Sequence, residues 1–153
     1  MANTYTQLHI QIIFAVKYRA CLIDKKWKNE LYKYITGIIQ RQQHKVIAIN
    51  GMPDHLHILI GIRPTSSLSD LVQDIKANSS KWINEKAFVK GKFKWQSGFG
   101  AFSYSKSHIS KVARYIENQE SHHSKKSMID EYKEFLAKFD VNYNDGYIFQ
   151  EPV

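Results

Sequence analysis

The period of apolar positions changes several times along the chain, and each change marks an element. Residues 5–16, YTQLHIQIIFAV, are rich in β-branched and aromatic side chains with partial alternation, which predicts a strand. Over residues 26–43 the period shifts to three and four. Trp27, Leu31, Tyr34, Ile35, Ile38 and Ile39 share one helical face, and Asp24 stands at the position of an N-cap. Residues 46–50 and 55–60 read as short strands around a turn at 51–54 that contains Pro53, a hairpin with a loop longer than the tightest class. Residues 64–67 break the pattern. Residues 68–85 are helical again, with Leu71, Val72, Ile75, Trp82 and Ile83 on one side. A basic, aromatic, glycine-containing loop covers 88–100, and 101–104 is a short strand. Ser105 or Ser107 can cap a helix running to about residue 119. Residues 122–126 are polar, Ser127 caps a last helix over 128–139, and 143–149 suggest a final edge segment.

The order β-α-β-β-α-β-α-α predicts an α+β fold: a central antiparallel β-sheet with helices packed on it, an RRM-like or ferredoxin-like sandwich. No repeat, low-complexity tract or linker interrupts it. Residues 1–153 therefore read as one domain, with 127–153 an acidic C-terminal helix and tail.

Composition narrows the class. The single cysteine, Cys21, excludes an internal disulfide and favours a reducing, cytoplasmic setting. No run of 18 apolar residues exists to cross a membrane as a helix, and no signal-peptide pattern opens the sequence. With 43% hydrophobic and 13% aromatic residues, a packed core is expected rather than disorder. The net charge is +8, but its placement matters more. From Asp130 onward six acids face two bases, a net of −4, so the first 129 residues carry +12. A basic body with an acidic tail suits a nucleic-acid partner.

Two constellations carry candidate chemistry. His55-Leu56-His57 lies in the apolar segment DHLHILI. Residues two apart on a strand face the same way, so both imidazoles project together while Leu56, Ile58 and Ile60 face the opposite side. Two such rings can converge on one divalent ion, although His-x-His alone is a weak signal and a third ligand is needed. No carboxylate cluster is near in sequence. Asp54 is adjacent but should face away from His55 unless the strand begins after it. The second constellation is YIENQ, residues 115–119. On a helix Tyr115 and Gln119 share a face, so an amide oxygen able to ligate a metal would lie beside a phenol.

Together these motifs resemble the TnpA-type single-tyrosine transposases with an HUH motif, of the insertion sequence 200/605 group. GMPDHLHILI, residues 51–60, is similar to the HUH strand and its preceding turn. The run from Trp95 through Gly100 into AFSYSKS resembles the segment before the tyrosine helix, YIENQ that helix, and His122-His123 the trailing His pair. The opening strand and Lys17-Tyr18-Arg19 also fit, and the likeness spans about residues 5–135. The resemblance implies that His55 and His57 are metal ligands, Gln119 the third protein ligand and Tyr115 the nucleophile. It implies Mg²⁺ or Mn²⁺ as cofactor, and single-stranded DNA with hairpins at transposon ends as substrate. It also implies a homodimer whose tyrosine helix can complete the partner's site.

These residue types suit that reaction. A tyrosine oxygen attacking phosphorus stores the phosphodiester energy as a 5′-phosphotyrosine, which a 3′-OH can later reseal. At a reference pKa of about 10, only about one tyrosine in a thousand is ionised at neutral pH, so a cation polarising the phosphate is needed. Two imidazoles and an amide would leave the ion's charge intact. Lys76, Lys81, Lys90, Lys92 and Lys94 form a basic band suited to a DNA backbone, and Lys106, Lys111 and Arg114 flank the tyrosine helix. Phe93, Trp95 and Phe99 are candidates for stacking exposed bases; the alternative is solvated lysines with Trp95 in the core. Two alternatives stand beside strand transfer: a domesticated hairpin DNA- or RNA-binding protein of the same fold, and a hydrolytic metallophosphoesterase needing more carboxylates.

Overall fold

The computed structural model describes residues 5–119 and 127–141. The strands are β1 (His9–Ala15), β2 (Lys45–Met52), β3 (His55–Gly61) and β4 (Gly100–Tyr104). The helices are α1 (Lys28–Arg41), α2 (Leu68–Lys86), α3 (Ile109–Glu117) and α4 (Met128–Lys138). Short 3-10 turns lie at Lys17–Arg19 and Lys106–His108. The sheet order is β2-β3-β1-β4, and every neighbouring pair is antiparallel. This is the ferredoxin-like arrangement the element order predicts, with β1 and β3 central. The expected segment at 143–149 and the polar stretch with His122 and His123 lie outside the described residues.

Helices cover both faces of the sheet. On one face Ile12, Phe14, Leu56, Ile58 and Ile60 pack against Leu31, Ile35, Ile38 and Ile39 of α1 and Leu71, Val72, Ile75 and Ile83 of α2. Each such buried side chain contributes on the order of 2 kcal/mol. On the other face Ile13, Ala15 and Phe102 meet Met128 and Leu136 of α4, while Ala48 and Leu59 meet Ile116 of α3. Double coverage explains why β3 is buried from His55 to Ile60 rather than alternating.

Local chemistry set several boundaries. Ser67 and Ser127 cap α2 and α4, accepting from the amides of Asp70 and Asp130 at 3.3 and 3.2 Å. Asp24 instead closes the turn before α1, its carboxylate accepting from the Lys26 amide at 2.8 Å. Neither the Ser105 nor the Ser107 side chain caps α3. Both contact His108 Nδ1, and a 3-10 turn replaces the first helical turn. The β2–β3 hairpin is tighter than its sequence suggests, because Met52 pairs with His55 and leaves only Pro53 and Asp54 as the loop. Gly51 permits this: a Cβ there would lie 2.2 Å from the His55 carbonyl oxygen.

Candidate metal centre and tyrosine

His55 and His57 project from β3 into the layer between the sheet and α3/α4, both 0% exposed, with ring centroids 5.2 Å apart. Ala15 and Ile13 lie opposite them on β1, and the small Ala15 leaves room beside His55. The missing third group comes from α4. Glu131, 2% exposed, places Oε1 2.9 Å from His57 Nε2 and 3.9 Å from His55 Nε2. The ligand atoms of the three residues lie within 4.8 Å of one another.

The other Glu131 oxygen faces the tyrosine. The Tyr115 hydroxyl donates to Oε2, and Gln119 Nε2 lies 3.5 Å from that atom. Gln119 follows α3 by one residue beyond its Asn118 C-cap and is 0% exposed. Its amide also reaches back to the Tyr115 carbonyl at 3.5 Å, the four-residue spacing expected. The structure thus brings His55, His57, Tyr115 and Gln119 into one constellation within a single chain, around a carboxylate the sequence reading did not single out.

The donor set fits a divalent cation. Gln119 Oε1 is buried with no hydrogen-bond partner among the described residues, an orphan acceptor that a cation would satisfy. Two imidazoles, a carboxylate and an amide match hard to borderline ions. The expectation of wholly neutral ligands changes here, because Glu131 adds a negative charge.

Further hydrogen bonds hold each imidazole. His57 Nδ1 meets Gln11 Oε1 at 2.7 Å, and Gln11 Nε2 donates to the Tyr104 hydroxyl at 3.0 Å. His55 Nδ1 meets Asp54 Oδ1 at 2.7 Å. Asp54 sits in the turn because β3 begins after it, the one condition under which it could reach His55. Burial alone would raise its carboxyl pKa. The hydrogen bond and charge of His55, with Arg19, outweigh burial and lower it.

Tyr115 is shifted the other way. Burial first, then the hydrogen bond and charge of Glu131, push its hydroxyl well above the usual phenol range, with Gln119 opposing and Glu134 adding. These effects favour the neutral phenol. Tyr115 opens onto a cavity of about 360 Å³ shared with Gln11, Tyr104, Lys111, Glu131 and Phe135.

Lys81, Lys90, Lys92, Lys94, Lys106, Lys111 and Arg114 are all exposed. Lys81, Lys92 and Lys94 gather at one cleft with Asn84 and Glu85. Lys76 is half-buried. Its Nζ donates to the carbonyls of Gln96 at 2.8 Å and Gly98 at 2.5 Å and sits 5.5 Å from the Phe14 ring centroid. Phe93 and Trp95 do not offer faces to bases. They are 0% and 9% exposed, and Trp95 Nε1 donates to Ser79 Oγ within the core.

Sequence reasoning missed Glu131 and Gln11, named Asp54 only as a poor third ligand, and gave Arg19 no role of its own. Two left a readable trace. Gln11 is a polar residue inside an apolar strand, and Glu131 falls within the apolar stripe of Met128, Tyr132 and Phe135.

A ferredoxin-like sheet whose central strand aims two histidines at a carboxylate and a helix-borne tyrosine has the HUH-type arrangement. Comparison with known proteins then gives the family. The family model described as Transposase IS200 like matches residues 4–119, and the chain belongs to that family. It is 26% identical to the ISDra2 transposase TnpA of Deinococcus radiodurans over 118 residues, 74% of this chain and 84% of that protein. Two solved structures share the fold. A crystal structure of a candidate transposase from Deinococcus radiodurans R1 superposes with a TM-score of 0.63 at 23% identity, covering 78% of this chain and 95% of that one. A REP-associated tyrosine transposase bound to a REP hairpin superposes with a TM-score of 0.60 at 14% identity, covering 80% and 73%. Among the described residues no helix is long and apolar enough to cross a membrane.

Proposed function

We propose that this protein is a metal-dependent DNA strand transferase that cuts and rejoins single-stranded DNA through Tyr115. The observation that carries the reading is the shared carboxylate: Glu131 accepts from the Tyr115 hydroxyl and also lies against His57, so nucleophile and metal cluster meet at one side chain. His55, His57, Glu131 and Gln119 would hold Mg²⁺ or Mn²⁺, which when bound supplies positive charge to a phosphate oxygen.

Tyr115 donates its proton to Glu131, which leaves its oxygen lone pairs free for phosphorus. As the Tyr115–phosphorus bond forms, the phosphorus–3′-oxygen bond breaks. The phenolic proton passes to Glu131, and the departing 3′-oxygen takes up a proton, from Glu131 or from water, to become a 3′-OH. A 3′-OH attacking the phosphotyrosine reverses these movements and reseals the strand. Lys111, at the mouth of the same cavity, and the exposed Lys106 and Arg114 would hold flanking phosphates, with Lys81, Lys90, Lys92 and Lys94 extending the path.

Hairpin ends as substrate, and a homodimer exchanging tyrosine helices, belong to the same reading. The solved relative bound to a REP hairpin supports the first. The test is a denaturing gel of protein, Mn²⁺ and single-stranded DNA carrying an element-end hairpin. A covalent adduct lost in Tyr115→Phe supports the proposal. Cleavage that survives Tyr115→Phe, or no adduct on a genuine element end, overturns it.

A further inference from the structure

The two imidazoles of the cluster are not equivalent. His57 Nδ1 meets a neutral amide oxygen, on Gln11, whereas His55 Nδ1 meets a carboxylate, on Asp54, each at 2.7 Å. An ionised carboxylate can only accept, so the His55 Nδ1 carries the proton. The His55 lone pair is therefore on Nε2, the nitrogen on the Glu131 side of the ring.

The chain extends one residue further. Arg19 Nη2 and Nε hold the second Asp54 oxygen at 3.2 and 3.4 Å. His55, Arg19 and Asp54 are 0%, 4% and 9% exposed. The backbone fixes this arm at both ends: the Val16 amide donates to the Asp54 carbonyl at 2.9 Å, and the Arg19 amide to the Val16 carbonyl at 2.7 Å. Delivering the guanidinium there takes an unusual turn. Tyr18 and Arg19, neither a glycine, both sit in the left-handed region, at φ 61° and 52°. Such strain persists where the surroundings over-determine it, and it clusters at functional sites. A stabilising surface ion pair would need neither the burial nor the turn.

We propose that Arg19 and Asp54 form an orienting arm for the metal centre. They are positioning residues that fix the tautomer and direction of His55 and, through the carboxylate's charge, make it the stronger of the two imidazole donors. Arg19 holds Asp54 in line with Nδ1. The inference rests on reading His55, His57 and Glu131 as a metal centre. Partners of this kind typically govern metal affinity by about 10–100-fold.

The test needs no DNA. Mn²⁺ is titrated into the full chain, and free ion is followed by electron paramagnetic resonance. Asp54→Asn preserves shape and removes the charge. Arg19→Lys keeps a cation but loses the planar fork, and it decides the question if Asp54→Asn does not fold. Each folded variant is expected to bind Mn²⁺ about tenfold or more weakly, and to shift the visible spectrum of the Co²⁺-loaded protein, at temperatures well below its own metal-free melting temperature, which loss of a buried ion pair lowers. Wild-type affinity and spectrum in the folded variants overturn the arm. His57→Ala separates the two layers. If it abolishes binding while Asp54→Asn and Arg19→Lys do not, only the arm falls. If it binds like the wild type, the metal centre falls and the arm with it.

Discussion

The Tyr115 hydroxyl and the Glu131 carboxylate are hydrogen-bonded across the α3–α4 boundary, from positions 16 residues apart. Glu131→Gln tests what this contact does. An amide of the same size still accepts from the phenol but carries no charge and takes no proton. The rate of covalent adduct formation should fall by about 100-fold or more in single-turnover assays, with the melting temperature within a few degrees of wild type. A wild-type rate would remove Glu131 from the chemistry.

Gly100 makes room for the residue beside Glu131. A Cβ at Gly100 would lie 2.7 Å from Cε2 and Oη of Tyr132, the residue next to Glu131 on α4. Gly100→Ala should push α4 from the sheet and cost about 1–3 kcal/mol in denaturant unfolding, with weaker Mn²⁺ binding. Adding Tyr132→Leu should recover part of both losses. If Gly100→Ala leaves both at wild-type values, α4 is not held by this contact.

Metal binding should be visible as stability. An ion that binds only the folded state, at 100 times its Kd, adds about 2.7 kcal/mol, which for a chain of this size is about 5–10 °C in Tm. Chelator-treated protein should gain this with Mn²⁺, and His57→Ala should not. An equal gain in both would place the ion elsewhere.

Lys76 predicts a pH dependence. Burial lowers its ammonium from 10.5 to about 8. Below pH 8 both folded and unfolded states are protonated, and the folded state bears the full burial penalty. Between pH 8 and 10.5 the folded state sheds the proton first, so this group's penalty is relieved as pH rises. Between pH 8 and 9.5, before tyrosines of the unfolded chain ionise, wild-type stability should rise relative to Lys76→Met in parallel denaturation curves. Parallel pH profiles would show that the Gln96 and Gly98 carbonyls hold the charged form as well as water does.

The exposed lysines make a prediction about salt. If Lys90, Lys92 and Lys94 each neutralise a phosphate of single-stranded DNA, replacing all three by alanine should reduce the slope of log K against log salt by about 2. An unchanged slope would move the DNA path away from this loop.

The sheet and the paired histidines were legible because a strand has a period of two: DHLHILI alone assigns the two rings to one face. Their complete burial was not, because it depends on α3 and α4 covering the second face, which no local pattern encodes. Glu131 was hidden for a related reason. It lies 74 residues from His57, and only the packing of α4 brings it there. Asp54 was weighed only as a third ligand; the strand start at His55 leaves it in the turn, where it meets His55 Nδ1 instead of joining the ligand atoms. Trp95 follows the core alternative, because its loop adds to the edge of β1 through Val16.

The metal ligands and the nucleophile are anchored very unequally. His55 and His57 belong to a strand laddered on both sides, by β1 and by β2, and freeing it means opening the sheet. Tyr115 rides on nine helical residues, of which Ile116 alone is fully buried, resting on Ala48 and Leu59. Lifting that helix breaks fewer buried contacts than opening the sheet. If Tyr115 carries a DNA end as proposed, the tyrosine and Gln119 can lift away together while His55 and His57 stay fixed in the ladder, which is the movement an exchange of strands calls for.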